Sequence, residues 1–323
     1  MSFDIKVFGA SHDKEIGLCA NGLPSGEEIS LEVLQEFLDR RRPGTSDSVS
    51  QRKEFDTPKF ISGIKVQDDN TLITTGEPFE VRIENTDVRQ SDYSDLLYTP
   101  RPGHADFTAY TKYGLDYDMS GGGEFSGRMT APFCVLGGMC LQVLDRHGIK
   151  ISAYIAETGD IEKAIEDGDS VGGIVECQID GLPAGIGGPN VSGLESRLSR
   201  NIFAIPAVKG IEFGIGFAAA NLRGSECNDE FIIEDGKVVT RTNNCGGILG
   251  GISTGMPIIF RVAFKPTPSI SKEQKTVNLK TLEETTICIS GRHDPCVVPR
   301  ALPVVEAMAA ITITEILQEE KKL

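Results

Sequence analysis

Three short stretches of this 323-residue chain gather side chains that move protons or hold anions. Residues 291–296 read GRHDPC and put a guanidinium (Arg292), an imidazole (His293), a carboxylate (Asp294) and a thiol (Cys296) into a turn bounded by Gly and Pro. Residues 101–106 read RPGHAD and repeat the same types at Arg101, His104 and Asp106. Residues 8–13, FGASHD, add His12. Imidazoles and carboxylates on rigid turns suit general acid–base work near neutral pH. The same groups also suit a plainer role, an Arg–Asp pair capping a helix beside a structural histidine. The other cations bear on that choice. Arg40, Arg41, Arg42, Arg52, Lys53, Arg101, Arg128, Lys265 and Arg292 gather in or next to turns rich in Gly, Pro, Ser and Thr, although the net charge is −15. An acidic chain that keeps its arginines for turns points to a small anionic ligand and away from nucleic acid.

The elements that must position these groups are legible in outline. Residues 4–9 (DIKVFG) read as a strand leading into the His12 loop. From Ser30, a plausible N-cap, Leu31, Leu34, Phe37 and Leu38 share one helical face, and Pro43-Gly44 stops the helix after Arg40, Arg41 and Arg42. Residues 60–65 and 79–84 read as strands, the second with clean alternation. Gly121-Gly122-Gly123 permits close approach of backbone to a ligand, or tight turns alone. Pro132–His147 reads as an apolar helix whose Gly137 and Gly138 suit packing against another helix. Strands follow at 149–155 and 171–179, then Ser192 and Glu195 match a capping box ahead of Leu194, Leu198 and Ile202. Residues 208–218 read as a Gly-interrupted strand, and 243–255 hold five glycines. A strand at 257–264 ends in Lys265-Pro266-Thr267-Pro268-Ser269, a turn fit for a phosphate or a polar ring edge, or a simple surface turn. A long apolar helix from about Val298 closes the chain.

Composition narrows the class. No run of ~18 apolar residues predicts a membrane span, and the first residues lack a basic, then apolar, secretory pattern. Eight cysteines without a CxxC predict reduced thiols in a cytoplasmic protein, with no zinc site.

Taken together, FGASHD, RRRPGTSD, RPGHAD, GGGEFSGRMT, GGILGGISTG, KPTPS and GRHDPCVVPRALPVVEAM stand in this order over residues 8–308. They resemble the markers of the chorismate synthase family: FGESHG, RRRPGTSR, RPGHAD, GGGRSSARET, GGILGGISxG, KPTPS and GRHDPC with VPRA, P and EAM. The resemblance implies an α/β (α+β) fold, one domain over residues 1–323 with helices sandwiched between antiparallel sheets, assembled as a homotetramer. It implies a lyase that removes phosphate and a ring proton from 5-enolpyruvylshikimate 3-phosphate to give chorismate, in aromatic amino acid biosynthesis. Reduced FMN is required although the reaction has no net redox change.

By matched position, His12 would be the general acid for the leaving phosphate, His104 would stand beside the flavin, and Asp294 would help take up the ring proton. Arg41, Arg101 and Arg128, with Arg52 as a weaker candidate, would face the substrate, whose two carboxylates and phosphate suit bidentate guanidinium groups. Flavin contacts would fall at Glu124, Phe125, Ser126, Ala207, Gly250, Lys265, Pro266, Thr267, Pro268, Ser269 and Arg292. Arg41 also matches a position linked to the phosphate of NADP. The length leaves no room for a reductase domain, so an external flavin reductase or reductant is expected.

Departures concentrate at the same loops. The family Glu and second Gly of FGESHG are Ala10 and Asp13, the Arg after RRRPGTS is Asp47, and the Arg of GGGRSS is Glu124 with Phe125 following. The Glu of SARET is also lost, at Met129, and the chain is shorter than the family pattern between about Asp160 and Asp169. Two lost arginines leave room for an alternative, a weakly active or non-catalytic paralogue that binds flavin or an anionic metabolite. Retention of His12, His104 and Asp294 favours the enzyme.

Overall fold

The computed structural model describes residues 3–42, 55–86, 98–289 and 294–323. The first half of the chain runs β1 (Ile5–Phe8), β2 (Glu15–Ala20), β3 (Glu28–Ser30), α1 (Leu31–Asp39), β4 (Pro58–Ser62), β5 (Ile64–Val66), β6 (Thr71–Thr74), β7 (Phe79–Glu84), α2 (Asp106–Tyr113) and α3 (Ala131–Arg146). The second half runs β8 (Lys150–Thr158), α4 (Ile161–Glu166), β9 (Gly173–Asp180), α5 (Leu194–Ile202), β10 (Val208–Phe213), α6 (Gly224–Cys227), β11 (Phe231–Glu234), β12 (Lys237–Thr240), β13 (Ile248–Leu249), β14 (Ile252–Ser253), β15 (Ile258–Phe264), β16 (Gln274–Asn278), β17 (Glu283–Ile287) and α7 (Val298–Glu319).

Two four-stranded antiparallel sheets frame the molecule, in the orders β1-β2-β7-β4 and β10-β15-β9-β8. Their strands alternate. Phe79, Val81 and Ile83 of β7, and Ile258, Phe260, Val262 and Phe264 of β15, are buried while their neighbours are less so. Each sheet thus has one apolar face to cover. Helix α3 packs on β2 and β7 of the first sheet, α7 packs on β8 and β9 of the second, and α3 packs on α7. The helices lie between antiparallel sheets, as the family resemblance implied. A helix in that position has no solvent face: α7 is buried all round from Val304 to Leu317, and its Glu306 and Glu315 are paired with Arg40 and Arg197. By length and hydropathy alone two segments, Ser120–Arg146 and Val298–Glu319, would pass for membrane spans, but 78% and 89% of an apolar 18-residue window in each is buried inside the protein. All eight cysteines are free thiols.

Most expected elements stand where the residue pattern put them, and Ser30 caps α1 by accepting from Val33 N. Three differ. The strand expected at 60–65 is split between β4 and β5, which belong to different sheets. Ser192 does not cap α5: Gly193 does, because Leu194 N already donates to Gly251 O and the chain approaches Gly251 too closely for a side chain. The strand expected over 208–218 ends at Phe213, because Gly214 turns at φ +56° against the backbone of Asn244. The glycine-rich 243–255 segment forms the β13–β14 hairpin, its Gly250-Gly251 turn at φ +63° and +85° meeting the positive-φ demand of the favoured two-residue turns.

Gly137 is where the two central helices meet. A methyl there would fall 2.3 Å from Ala307 Cβ and 2.4 Å from its Cα. Gly137→Ala is therefore expected to cost about 1–3 kcal/mol by overpacking. Urea unfolding measures it, and an unchanged midpoint would show that the helices separate freely.

Candidate active site

The RPGHAD turn closes on one carboxylate. Asp106 opens α2 and accepts from Arg101 N (2.9 Å), Arg101 Nε (2.7 Å) and Arg101 Nη2 (2.8 Å). His104 Nδ1 lies 2.6 Å from Asp106 Oδ1 and 3.0 Å from Arg101 Nη2. An anion and a guanidinium compete for one ring nitrogen, and the shorter contact to the carboxylate keeps the proton on Nδ1. Nε2 is then left as the nitrogen facing away from the pair. Burial works against the charged Asp106, but the bonds from Arg101 and His104 outweigh it and hold its carboxyl well below the usual range. His104 is pulled down, first by burial and further by the Arg101 cation, with Asp106 only partly compensating. It is therefore a neutral imidazole at pH 7.

A second turn presses against the first. Gly121, Gly122 and Gly123 adopt φ of +58°, +91° and +53°. A methyl on Gly122 would come within 3.3 Å of His104 Nε2, and one on Gly121 would collide with His12 Cε1 at 1.9 Å. The FGASHD loop is tied to this turn by Ser11 N to Gly123 O (3.3 Å) and Ser11 Oγ to Ser120 O (3.1 Å). With its proton given to Ser120, Ser11 Oγ accepts from His12 Nδ1–H at 3.1 Å. The two histidines thus flank one glycine turn.

The three arginines after α1 diverge. Arg40 forms a fork with Glu306 of α7 (2.7 and 2.9 Å), and Arg42 turns back to Asp39 (2.9 Å). Only Arg41 faces inward, 1% exposed, donating to Thr130 Oγ1 (3.0 Å), Gly127 O (3.0 Å) and Asp56 Oδ2 (2.6 Å). Arg128 binds the other oxygen of Asp56 and donates to Asn85 Oδ1 (2.9 Å). Burial again opposes charge on Asp56, and the two arginines overcome it and lower its pKa. Asp294, just ahead of α7, accepts from Arg300 Nη1 at 2.7 Å, while Arg300 Nε donates to Arg41 O (3.2 Å). Burial lowers the Arg300 pKa, which Asp294 partly offsets.

These groups border one cavity of about 650 Å³. That volume lies in the range of small-molecule sites, ~300–1,000 Å³. Of the expected residues, Arg41, Arg101, His104, Glu124, Phe125, Ser126, Arg128, Ala207, Lys265, Thr267, Pro268, Ser269 and Asp294 line it. His12 stands one residue back, behind Gly121. Gly250 and Pro266 do not line it: Gly250 sits at the β13–β14 hairpin tip, and Pro266 points back toward Gly172. Arg52, Arg292 and Asp47 lie outside the described residues. Sequence reasoning missed Asp56, Arg300 and Lys209. Arg300 stood inside the quoted VPRA motif, but Asp56 and Lys209 carried no local signal.

Among the described residues, six cations at the wall (Arg41, Arg101, Arg128, Lys209, Lys265, Arg300) meet four carboxylates in or behind it (Asp56, Asp106, Glu124, Asp294). An excess of two positive charges in a low-dielectric cleft favours an anion. Phe125, Phe203, Ile205 and Val304 supply an apolar wall, and Ala207 holds φ +71°, a strained backbone beside the cleft.

The sequence profile described as Chorismate synthase matches residues 3–164 and 158–317. The chain is 44% identical to the chorismate synthase of Thermococcus kodakarensis over 96% of its own length and 94% of that protein. The chain belongs to the chorismate synthase family. It is also 45% identical to the chorismate synthase of Pyrococcus abyssi, over 96% of this chain and 94% of that one. A crystal structure titled Crystal Structure of Chorismate Synthase superposes with a TM-score of 0.75 at 25% identity, covering 99% of this chain and 93% of that one. Membership makes the chain a lyase of aromatic amino acid biosynthesis in a family that uses reduced flavin.

The charge state of His104 is open to direct measurement. Its imidazole resonances are expected to titrate below the ordinary value of about 6.5. Because Asp106 raises that pKa, Asp106→Asn is expected to move it lower still. A depressed histidine binds fewer protons folded than unfolded, so its contribution to stability is complete above about pH 6.5 and drains away on acidification. A His104 midpoint at or above 6.5 would contradict the site electrostatics.

Proposed function

We propose that this chain catalyses the elimination of phosphate and a ring proton from 5-enolpyruvylshikimate 3-phosphate, with reduced FMN bound in the cavity beside His104. What carries the reading is the convergence of His104, Asp294 and the arginines from distant loops on one cleft with an excess of cations. The reaction breaks the carbon–oxygen bond to phosphate and one ring carbon–hydrogen bond, and forms a ring double bond. The phosphate leaves with the electron pair and the hydrogen leaves as a proton, so oxidation states balance.

The residues fit a flavin. Glu124 to Ser126, Ala207, Lys265 and Thr267 to Ser269 offer an apolar wall, backbone and hydroxyl groups, and a cation. The glycine turn leaves open space where a side chain on Gly122 would meet His104. When bound, reduced FMN supplies transient electron density that makes departure of phosphate feasible. Arg101, Arg128 and Arg41 hold the substrate anions or lend them their field. Neutral His104, held through Nδ1 by Asp106, would offer Nε2 to a flavin bound in the cavity. Asp294, kept in place by Arg300, accepts the ring proton. His12 gives its proton to the departing phosphate, and its place behind Gly121 requires that turn to shift as substrate enters. One domain over residues 1–323, assembly as a homotetramer, a cytoplasmic setting and reduced FMN from an external reductase complete the proposal.

Glu124 favours a second reading. It sets a carboxylate on the cavity wall at a family arginine position, which suits a weakly active paralogue that retains flavin. Anaerobic incubation with reduced FMN and 5-enolpyruvylshikimate 3-phosphate, following free phosphate, separates the two. Release above the enzyme-free control is expected, and its absence with flavin still bound would leave the second. His104→Ala is expected to lower turnover by ~10²–10⁴-fold, the scale of a lost general acid or base, with an unchanged circular dichroism spectrum. Near-wild-type rates would remove His104 from the mechanism.

A further inference from the structure

Asp56 has no exposed side-chain surface, and it is the group to which two cavity arginines are jointly tied. Arg41 binds one carboxylate oxygen and Arg128 the other. Burying a carboxylate is costly unless it is paired and hydrogen-bonded, so a fully buried aspartate persists where its partners hold it well. The backbone supports this arrangement under strain: Asp56 sits at φ +47°, a conformation rare for residues other than glycine. Further bonds of the cluster come from three separate segments. Thr130 and Gly127 fix Arg41, Asn85 fixes Arg128, and Arg300 reaches the Arg41 carbonyl from the start of α7.

We propose that Asp56 is a positioning residue for the substrate. It holds the Arg41 and Arg128 guanidinium groups together at the cavity wall and offsets part of their combined charge. Without it, two like charges in a buried space repel each other and swing apart, and the anion loses a preformed cradle. A carboxylate that merely stabilised the fold would change how much protein is active. A carboxylate that positions the arginines changes how tightly each active molecule holds substrate. This inference rests on the substrate reading above, so its test is binding rather than turnover.

The experiment is calorimetric titration of 5-enolpyruvylshikimate 3-phosphate into the full chain with oxidised FMN present, for wild type, Asp56→Asn and Asp56→Glu. Asp56→Asn is expected to weaken the substrate Kd at least tenfold in folded protein, and Asp56→Glu, which restores a carboxylate, to recover part of that loss. A folded Asp56→Asn variant with a Kd within twofold of wild type would overturn the proposal. Should Asp56→Asn fail to fold, the double variant Asp56→Asn/Arg128→Gln restores the net charge of the cluster. It is then compared with Arg128→Gln alone: tenfold weaker binding in the double variant supports positioning of Arg41, and equal binding overturns it. Wild-type binding without turnover would sink the catalytic reading and leave the Asp56 comparison intact.

Discussion

Every cation that this fold brings to the cavity must be matched against the cost of burying it. A guanidinium leaves water only where a carboxylate and several carbonyls or hydroxyls receive it. The structure meets that constraint three times: Asp56 between Arg41 and Arg128, Asp106 between Arg101 and His104, and Asp294 against Arg300. Each pairing locks a loop that has little regular structure of its own. The loops are held by charge, and the charge is held by the loops.

The layered core makes these pairings possible. Helix α3 follows the glycine turn directly, and α7 follows Asp294 directly, so the close contact of Gly137 with Ala307 fixes both cavity walls at once. Strand β15 ends where Lys265 to Ser269 begin, and β10 begins after the strained Ala207, whose carbonyl accepts from Lys265 N at 3.0 Å. Among the described residues, the proposed catalytic groups His12, His104 and Asp294 all stand in connections outside the rigid layers. That division suits a site in which charged groups must not relax when the substrate arrives.

Much of this was legible in the residues. Helical and two-residue periodicities gave α1, α3, α7, β7 and β15, because a face that must be buried leaves a repeating mark. The motifs gave the turns that carry His104 and Asp294, because Gly and Pro restrict backbone locally. Long-range partners left no such mark. Asp56 meets Arg41 and Arg128 only through folding, and nothing near Asp56 in the chain announces it. The run Arg40-Arg41-Arg42 looked like one cationic feature, yet its members serve Glu306, the cavity and Asp39 separately. Gly250 stands at a hairpin tip outside the cavity lining, because a two-residue turn and a ligand-approach site demand the same amino acid.

The central claim is that one cleft, walled by paired charges, receives both flavin and substrate. A crystal structure of the protein with oxidised FMN and 5-enolpyruvylshikimate 3-phosphate tests it most directly. The expected result is a flavin ring between the Glu124–Ser126 and Lys265–Ser269 segments near His104 Nε2, with the substrate anions on the side of Arg41, Arg101 and Arg128. A flavin bound elsewhere, or a substrate phosphate remote from all three arginines, would contradict it.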